Sequence, residues 1–303
     1  MYRGEIRGER DVADPSAWQR LASVFVGQHE PDLLQAPFAA TFDASGRLLV
    51  TDRARGAVVV IDRDRGEYRV LRPEGEHALL LPTGVAADGE GRIYIADGGR
   101  NVVQVLAPDG EWLARFDAGG ALQRPTGVAI DRTRKLLYVV DTPAHVVRVL
   151  KLDGTPVRVL GRGHGSGPGE MNFPTFVAVD AAGRAVVNDT MNFRIAIFGP
   201  DGSFAGAFGH AGNGSGDLDR PKGIAADASG RIYVADTMFD NFQIFDEEGR
   251  LLLFVGEHGR GPGQFWMPAG LAVHGGEVAV VDTGNARVLL FEVASDGLPG
   301  EAP

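Results

Sequence analysis

The chain contains no cysteine. Disulfides, thiolate metal ligands and a cysteine nucleophile are excluded, and no redox compartment can be read. Basic residues are also short, 30 Lys and Arg against 40 Asp and Glu, for a formal charge of −10. Non-specific nucleic-acid and anionic-membrane binding draw most of their affinity from a basic surface, so no nucleic-acid partner is expected. No apolar run approaches the roughly 18 residues of a membrane helix, and Met1-Tyr2-Arg3-Gly4-Glu5-Ile6-Arg7 does not read as a signal peptide. No membrane span is expected in this chain. What the chain does have is 43 glycines and 17 prolines among 303 residues, with 44% hydrophobic and 23% charged residues. That is enough apolar material for a core, interrupted by many turns, in one or two domains.

The turns repeat. A proline opens a short apolar stretch at Pro37, Pro82, Pro125, Pro174, Pro221 and Pro268, at intervals of 43 to 49 residues. About 15 residues later an aspartate ends a second apolar run, at Asp52, Asp97, Asp141, Asp189, Asp236 and Asp282. Nine residues beyond each aspartate lies Ile61, Leu106, Leu150, Phe198, Phe245 or Phe291. The fifth copy shows the elements. Gly223 to Asp227 reads as a small-residue strand, Asp227-Ala228-Ser229-Gly230 as a type I turn, and Arg231 to Ala235 as a β-branched and aromatic strand. Phe242 to Phe245 and Leu251 to Val255 make a third and a fourth, separated by the Glu247-Glu248-Gly249 turn. The expected fold is therefore all-β, a six-bladed β-propeller of four-stranded antiparallel blades. A single blade buries too little to fold alone, so residues 1–303 are read as one domain.

The sixth copy stops after its third strand near Phe291, and the tail 294–303 is polar. Tyr2 to Arg7 has the alternation of an outer strand and is expected to close the ring, with Leu21 to Val26 as the competing segment. Within 1–36, Asp14-Pro15 resembles an N-cap with proline at the first helical position. Trp18, Leu21, Ala22 and Phe25 recur at helical spacing, which predicts one short N-terminal helix.

Residues 37 to 293 resemble the NHL-repeat propellers. The resemblance rests on Asp189-Thr190-Met191-Asn192-Phe193-Arg194 and Asp282-Thr283-Gly284-Asn285-Ala286-Arg287, with an Asp-x-x-Asn-x-Arg pattern, and on loops such as Gly259 to Phe265. Blades 1, 2, 3 and 5 lack Asn-x-Arg and must hold that loop differently. The resemblance implies a fold more than an activity, because one scaffold serves unrelated roles. Composition and similarity to bacterial members imply a bacterial protein, either exported (periplasmic or lipid-anchored) with its signal removed, or cytoplasmic.

By analogy with other propellers, ligands are expected on the face formed by the interblade loops and the loops between second and third strands. His164, His210 and His258 precede their blade's proline by ten or eleven residues and suggest zinc, yet equivalent positions on neighbouring blades meet only beside the axis. These loops belong at the rim, so no metal and no cofactor are expected. The same symmetry keeps the six aspartates from sharing a cation; they are assigned to accepting backbone hydrogen bonds in the following turn. The positions nearest the axis are Phe38-Ala39, Thr83-Gly84, Thr126-Gly127, Thr175-Phe176, Lys222-Gly223 and Ala269-Gly270, with no His, Asp or Glu to serve as an acid/base pair. Breaks in the repeat are more informative. Phe176 replaces a glycine, Lys222 replaces a threonine, and Met191, Met238, Phe239 and Asp240 cluster in adjacent loops, with Arg53 opposite. Candidate binding residues are thus Arg53, Thr83, Thr126, Thr175, Phe176, Met191, Lys222, Met238, Phe239 and Asp240, suited to a protein, peptide or small ligand. Phe176 could equally plug the channel while the methionines pack between blades. The expected function is a monomeric, non-catalytic binding propeller; the alternative is a lyase or hydrolase with a site in the central channel.

Overall fold

A computed structural model describes residues 1–12 and 32–293. Six four-stranded antiparallel sheets surround an axis, each running in sequence order from its innermost strand outward, except the sixth. In that blade Pro268–His274, Glu277–Asp282 and Arg287–Glu292 are completed by Tyr2–Ile6 from the other end of the chain. The register pairs Ile6 with Val288, Glu5 with Leu289 and Gly4 with Leu290. The expected closure by Tyr2 to Arg7 is thus observed one residue shorter, while the expected helix and the competing segment Leu21 to Val26 lie outside the described residues. Blade 5 has strands at Pro221–Ala226, Ile232–Asp236, Asn241–Phe245 and Leu251–Val255, matching the turn and alternation reading.

Second and third strands are buried on both faces between neighbouring blades, so they read as continuous apolar runs; outer strands alternate. The largest apolar cluster takes residues from blades 1, 2, 4 and 5, Leu49, Ile95, Val186, Ile195, Ile232 and Phe245 among them. Burial is therefore shared between blades, which couples their folding.

Innermost strands crowd one another at their loop-face ends. A Cβ on Gly84, Gly127, Gly223 or Gly270 would lie 2.4–2.7 Å from the carbonyl oxygen of Thr126, Thr175, Ala269 or Phe38 in the next blade. Only glycine permits that approach. Blade 4 carries Phe176 there instead, and its inner strand is shortened to Val177–Val179, without the Pro-to-Asp pairing the other five blades make. The side chain that breaks the repeat thus changes the backbone beside the axis.

A candidate ligand-binding face

Two sets of turns cap the two ends of the ring. On the turn face, an aspartate after the innermost strand accepts its arginine four residues on: Asp43 from Arg47 Nε at 2.7 Å, and Asp88, Asp180 and Asp227 from Arg92, Arg184 and Arg231 at 2.6 Å. Asp131 takes Arg134 Nη1 at 3.0 Å. Between these turns, Arg132 reaches across the channel end to donate to Phe42 O and Ala87 O, each at 3.2 Å. The arginines of this inner ring of turns are all engaged.

The loop face is built around the six repeated aspartates, all 0% exposed. They reach further than the following turn. Asp52 accepts the backbone N–H groups of Gln35 and Ala36, Asp97 those of Leu80 and Leu81, Asp141 those of Gln123 and Arg124, and Asp236 those of Asp219 and Arg220. Asp189 and Asp282 hold Asn172 N and Trp266 N. Each carboxylate therefore ties the incoming interblade loop to its blade. In blade 6, Arg287, 1% exposed, donates Nε to Asp282 at 2.8 Å and its other N–H groups to Arg260 O, Gly261 O, Gln264 O and the Glu5 carboxylate of the closing strand. Arg194 does the same in blade 4 through Asp189, Ser166 O and Glu170 O. Where Asn-x-Arg is missing, blade 3 uses Arg148 on Asp141 at 3.0 Å, blade 2 uses Gln104 on Asp97, and blade 5 uses Gln243 on the loop carbonyl of Asp217. Blade 1 turns Arg55 outward to Asp32 and Leu33 O.

Threonine hydroxyls stitch the blades together at the axis. Thr142, Thr190, Thr237 and Thr283 donate to Pro174 O, Pro221 O, Pro268 O and Pro37 O at 2.6–2.9 Å. Of the sequence-selected threonines, Thr83 donates to Ala96 O and Pro125 O, Thr126 to Thr175 O, and Thr175 shares a proton with Thr190 Oγ1. All three hydroxyls are consumed, by the next blade or within their own. The position after the aspartate, threonine in four blades, is Arg53 in blade 1, and the position after the proline is Phe38 there and Lys222 in blade 5.

Those departures converge. Phe38 and Phe176, from opposite blades, bring their rings to 6.0 Å across the axis. Arg53 sits with its guanidinium carbon 4.5 Å from the Phe38 ring centre, and Lys222 Nζ lies 5.6 Å from it. Among the described residues neither cation has a carboxylate partner. Burial, then the charges of Arg53 and Arg220, holds the Lys222 ammonium below the ordinary lysine range, and burial lowers Arg53 as well. Beside them the Asn188 carboxamide donates to Lys222 O, leaving its buried Oδ1 without a partner. Phe38 was legible as an axial position but its role as the shared platform was not; the signal was the same loss of threonine that marked Lys222.

Below this mouth a cavity of about 320 Å³ follows the axis, walled by alanines such as Ala39, Ala86, Ala129, Ala178, Ala225 and Ala272, with Phe176 at one end and Arg132 and His274 at the other. Outward from the mouth, Leu80, Phe173, Met191, Met238, Trp266 and Met267 are 38–56% exposed in the loops of blades 2, 4, 5 and 6. Phe239 is half-buried in the same loop as Met238. Asp240 is spent differently from the expectation of a free flanking acid. It lies at φ 50°, accepts Met267 N at 2.7 Å and pairs with His258 Nδ1 at 2.7 Å, joining blades 5 and 6. His210 pairs with Asp217 at 2.8 Å, and His164 packs edge-on against His145, whose Nδ1 accepts Phe173 N. Each rim histidine thus has its own local partner.

Residues 72–270 match the Teneurin NHL domain family and residues 265–291 the NHL repeat. A 149-residue stretch, 48% of this chain, is 28% identical to the protein brain tumor of Drosophila melanogaster, of which it spans 13%. The fold is similar to that of a gluconolactonase from Xanthomonas campestris (TM-score 0.65, 18% identity, 97% of this chain and 99% of that one). It is likewise similar to a catalytically inactive virginiamycin B lyase from Staphylococcus aureus solved with quinupristin (TM-score 0.63, 12% identity, 86% and 82%). A structure of the nidogen/laminin complex gives a TM-score of 0.63 at 18% identity over 80% and 88% of the two chains. At those identities the solved structures speak to fold alone. The family match across most of the chain, and the six closed blades with the Asp-x-x-Asn-x-Arg loop in blades 4 and 6, establish that this chain belongs to the NHL-repeat family of β-propellers.

Proposed function

We propose that this propeller is a non-catalytic binding module that takes a protein or peptide segment on its loop face. The observation that carries the reading is the ring of exposed Leu80, Phe173, Met191, Met238, Trp266 and Met267 around a mouth holding two cations without carboxylate partners. Isolated exposed apolar residues are ordinary, whereas several on one face, with methionine and aromatics prominent, suit an adaptable protein interface. The channel supports this reading over the alternative of a lyase or hydrolase. Its wall is mostly apolar, and the acids at its turn-face rim, Asp131 and Asp180, are held by Arg134 and Arg184. The one histidine there, His274, packs on the Phe42 ring, and among the described residues no unpaired carboxylate of the channel lining is left to act with it as an acid/base pair.

The test is selection from a random peptide display library on the full chain. Enriched peptides should lose binding to Phe173→Asp and Met238→Asp variants and keep it with the turn-face variant Arg134→Asp. No enrichment, or loss confined to the turn-face variant, would overturn the proposal.

A further inference from the structure

Charged side chains removed from water are normally paired, because an unpaired buried charge gives up hydration with nothing in return. Arg53 and Lys222, both half-buried, lack a carboxylate partner among the described residues, at one place and against one aromatic ring. Elsewhere the molecule pairs arginine with care: Arg287 satisfies five acceptors, Arg194 several loop carbonyls, and even exposed Arg132 is tied to two carbonyls. The Phe38 face offsets only part of the deficit, since an aromatic ring attracts a cation less strongly than a carboxylate does.

We infer that the axial mouth of the loop face is a carboxylate seat, in which Arg53 and Lys222 receive an acidic side chain of the bound peptide while Phe38 and Phe176 form its apolar floor. The inference rests on the reading of this face as a peptide-docking surface and adds to it the chemistry of the central contact. The guanidinium fork suits a planar carboxylate and Lys222 completes the neutralisation, giving charge-assisted hydrogen bonds in a partly desolvated place. Phosphate fits less well. Anion sites for phosphate draw on a cradle of free backbone N–H groups, and here those of Ala36, Leu81, Arg124 and Arg220, just before the prolines, are already held by Asp52, Asp97, Asp141 and Asp236. A nucleic-acid backbone would in addition meet a chain of net charge −10. The apolar ring around the mouth places the acidic residue among hydrophobic ones in the recognised segment.

Two measurements test this. In the display experiment, enriched peptides should share an acidic residue flanked by apolar ones. Changing that acid to its amide should weaken binding about tenfold or more, and Lys222→Met or Arg53→Met should abolish the preference for the acid. Separately, the wild-type chain is titrated by NMR with N-acetyl-aspartate methylamide, N-acetyl-asparagine methylamide and inorganic phosphate. Saturable shifts with the aspartate probe alone, lost in Lys222→Met, support the seat. Stronger binding of phosphate than of the aspartate probe, or equal binding of the asparagine and aspartate probes, overturns it. If peptides are enriched without an acidic preference, the docking reading stands and the carboxylate seat falls; if none is enriched, the docking reading itself falls.

Discussion

The two ends of the channel are both lined with positive charge, and they treat it in opposite ways. On the turn face each inner aspartate holds an arginine and Arg132 is bound to carbonyls, in a pattern that repeats around the ring. On the loop face the repeat is broken in blades 1, 4 and 5, and Arg53 and Lys222 stand over an aromatic floor with no counter-charge among the described residues. Symmetry with satisfied charges is what a scaffold needs. Asymmetry with unsatisfied ones costs stability, and is sustained where something else is gained.

The sharpest way to separate scaffold charge from site charge is to remove one of each. Arg287→Met strips five hydrogen bonds from a fully buried guanidinium and strands Asp282, so the midpoint of urea unfolding should fall by the equivalent of about 3–5 kcal/mol. A loss below 1 kcal/mol would show that the Asp-x-x-Asn-x-Arg clasp is ornamental. Lys222→Met should act in the other direction, raising stability by about 1 kcal/mol because a desolvated charge without a partner is exchanged for an apolar chain of similar length. A clear loss of stability in this variant would mean that Lys222 has a structural partner after all, and the contrast between the faces would collapse. Arg184→Met on the turn face removes a partly exposed arginine from Asp180, whose backbone bonds from Arg184 N and Gly183 N remain. Its cost should be at most about 1 kcal/mol by the same measurement.

The smallest effect is a matter of sign. Burial drives the Asp236 carboxyl on the loop face above its ordinary range, and backbone hydrogen bonds from Asp219, Arg220, Met238 and Phe239 only partly offset it. Its stabilisation is complete below the unfolded-state value and is lost as pH rises through the folded one, so the cost of Asp236→Asn should be greatest near pH 3 and shrink toward neutrality. Asp43 on the turn face is also buried, but the hydrogen bonds from Ser45 and Arg47 and the charge of Arg47 outweigh that, and it lies below its ordinary range. Its stabilisation is present above the unfolded value and lost as pH falls, so the cost of Asp43→Asn should grow toward neutrality. Urea midpoints of both variants between pH 3 and 7 check this; slopes of the same sign would refute the electrostatic difference between the faces.

The blades were legible because turn chemistry and alternation are local, and the spacing from proline to aspartate states the phase in every copy. The closing strand was legible by subtraction, since blade 6 lacked a fourth strand and Tyr2 to Arg7 had the alternation to supply it, the observed strand being Tyr2–Ile6. At the mouth, Phe176, Lys222 and Arg53 stood out as losses of a repeated residue. What stayed hidden depends on partners in the next blade. Thr83, Thr126 and Thr175 look available in the sequence, but their hydroxyls meet carbonyls or threonines from neighbouring copies about 45 residues away or across the same blade. Asp240 likewise looks free until His258 and Met267 are folded against it. Hydrogen-bond satisfaction is a property of the closed ring and cannot be read from one repeat.

The pairing of Tyr2–Ile6 with Arg287–Glu292 has a kinetic consequence. Glu5 lies opposite Leu289, and its carboxylate meets Arg287, so the contacts that seal the ring join Tyr2–Ile6 to the sixth blade. The clasp joins Glu5 to Arg287, 282 residues away, a far longer loop than any closed within a single blade. Until it closes, the innermost sheets are an arc with two open edges, and sealing it should be the slow step of folding. Opening the clasp should likewise be the first step of unfolding, so the lifetime of the ring is set at the seam between blades 6 and 1, far from the residues that give the mouth its charge.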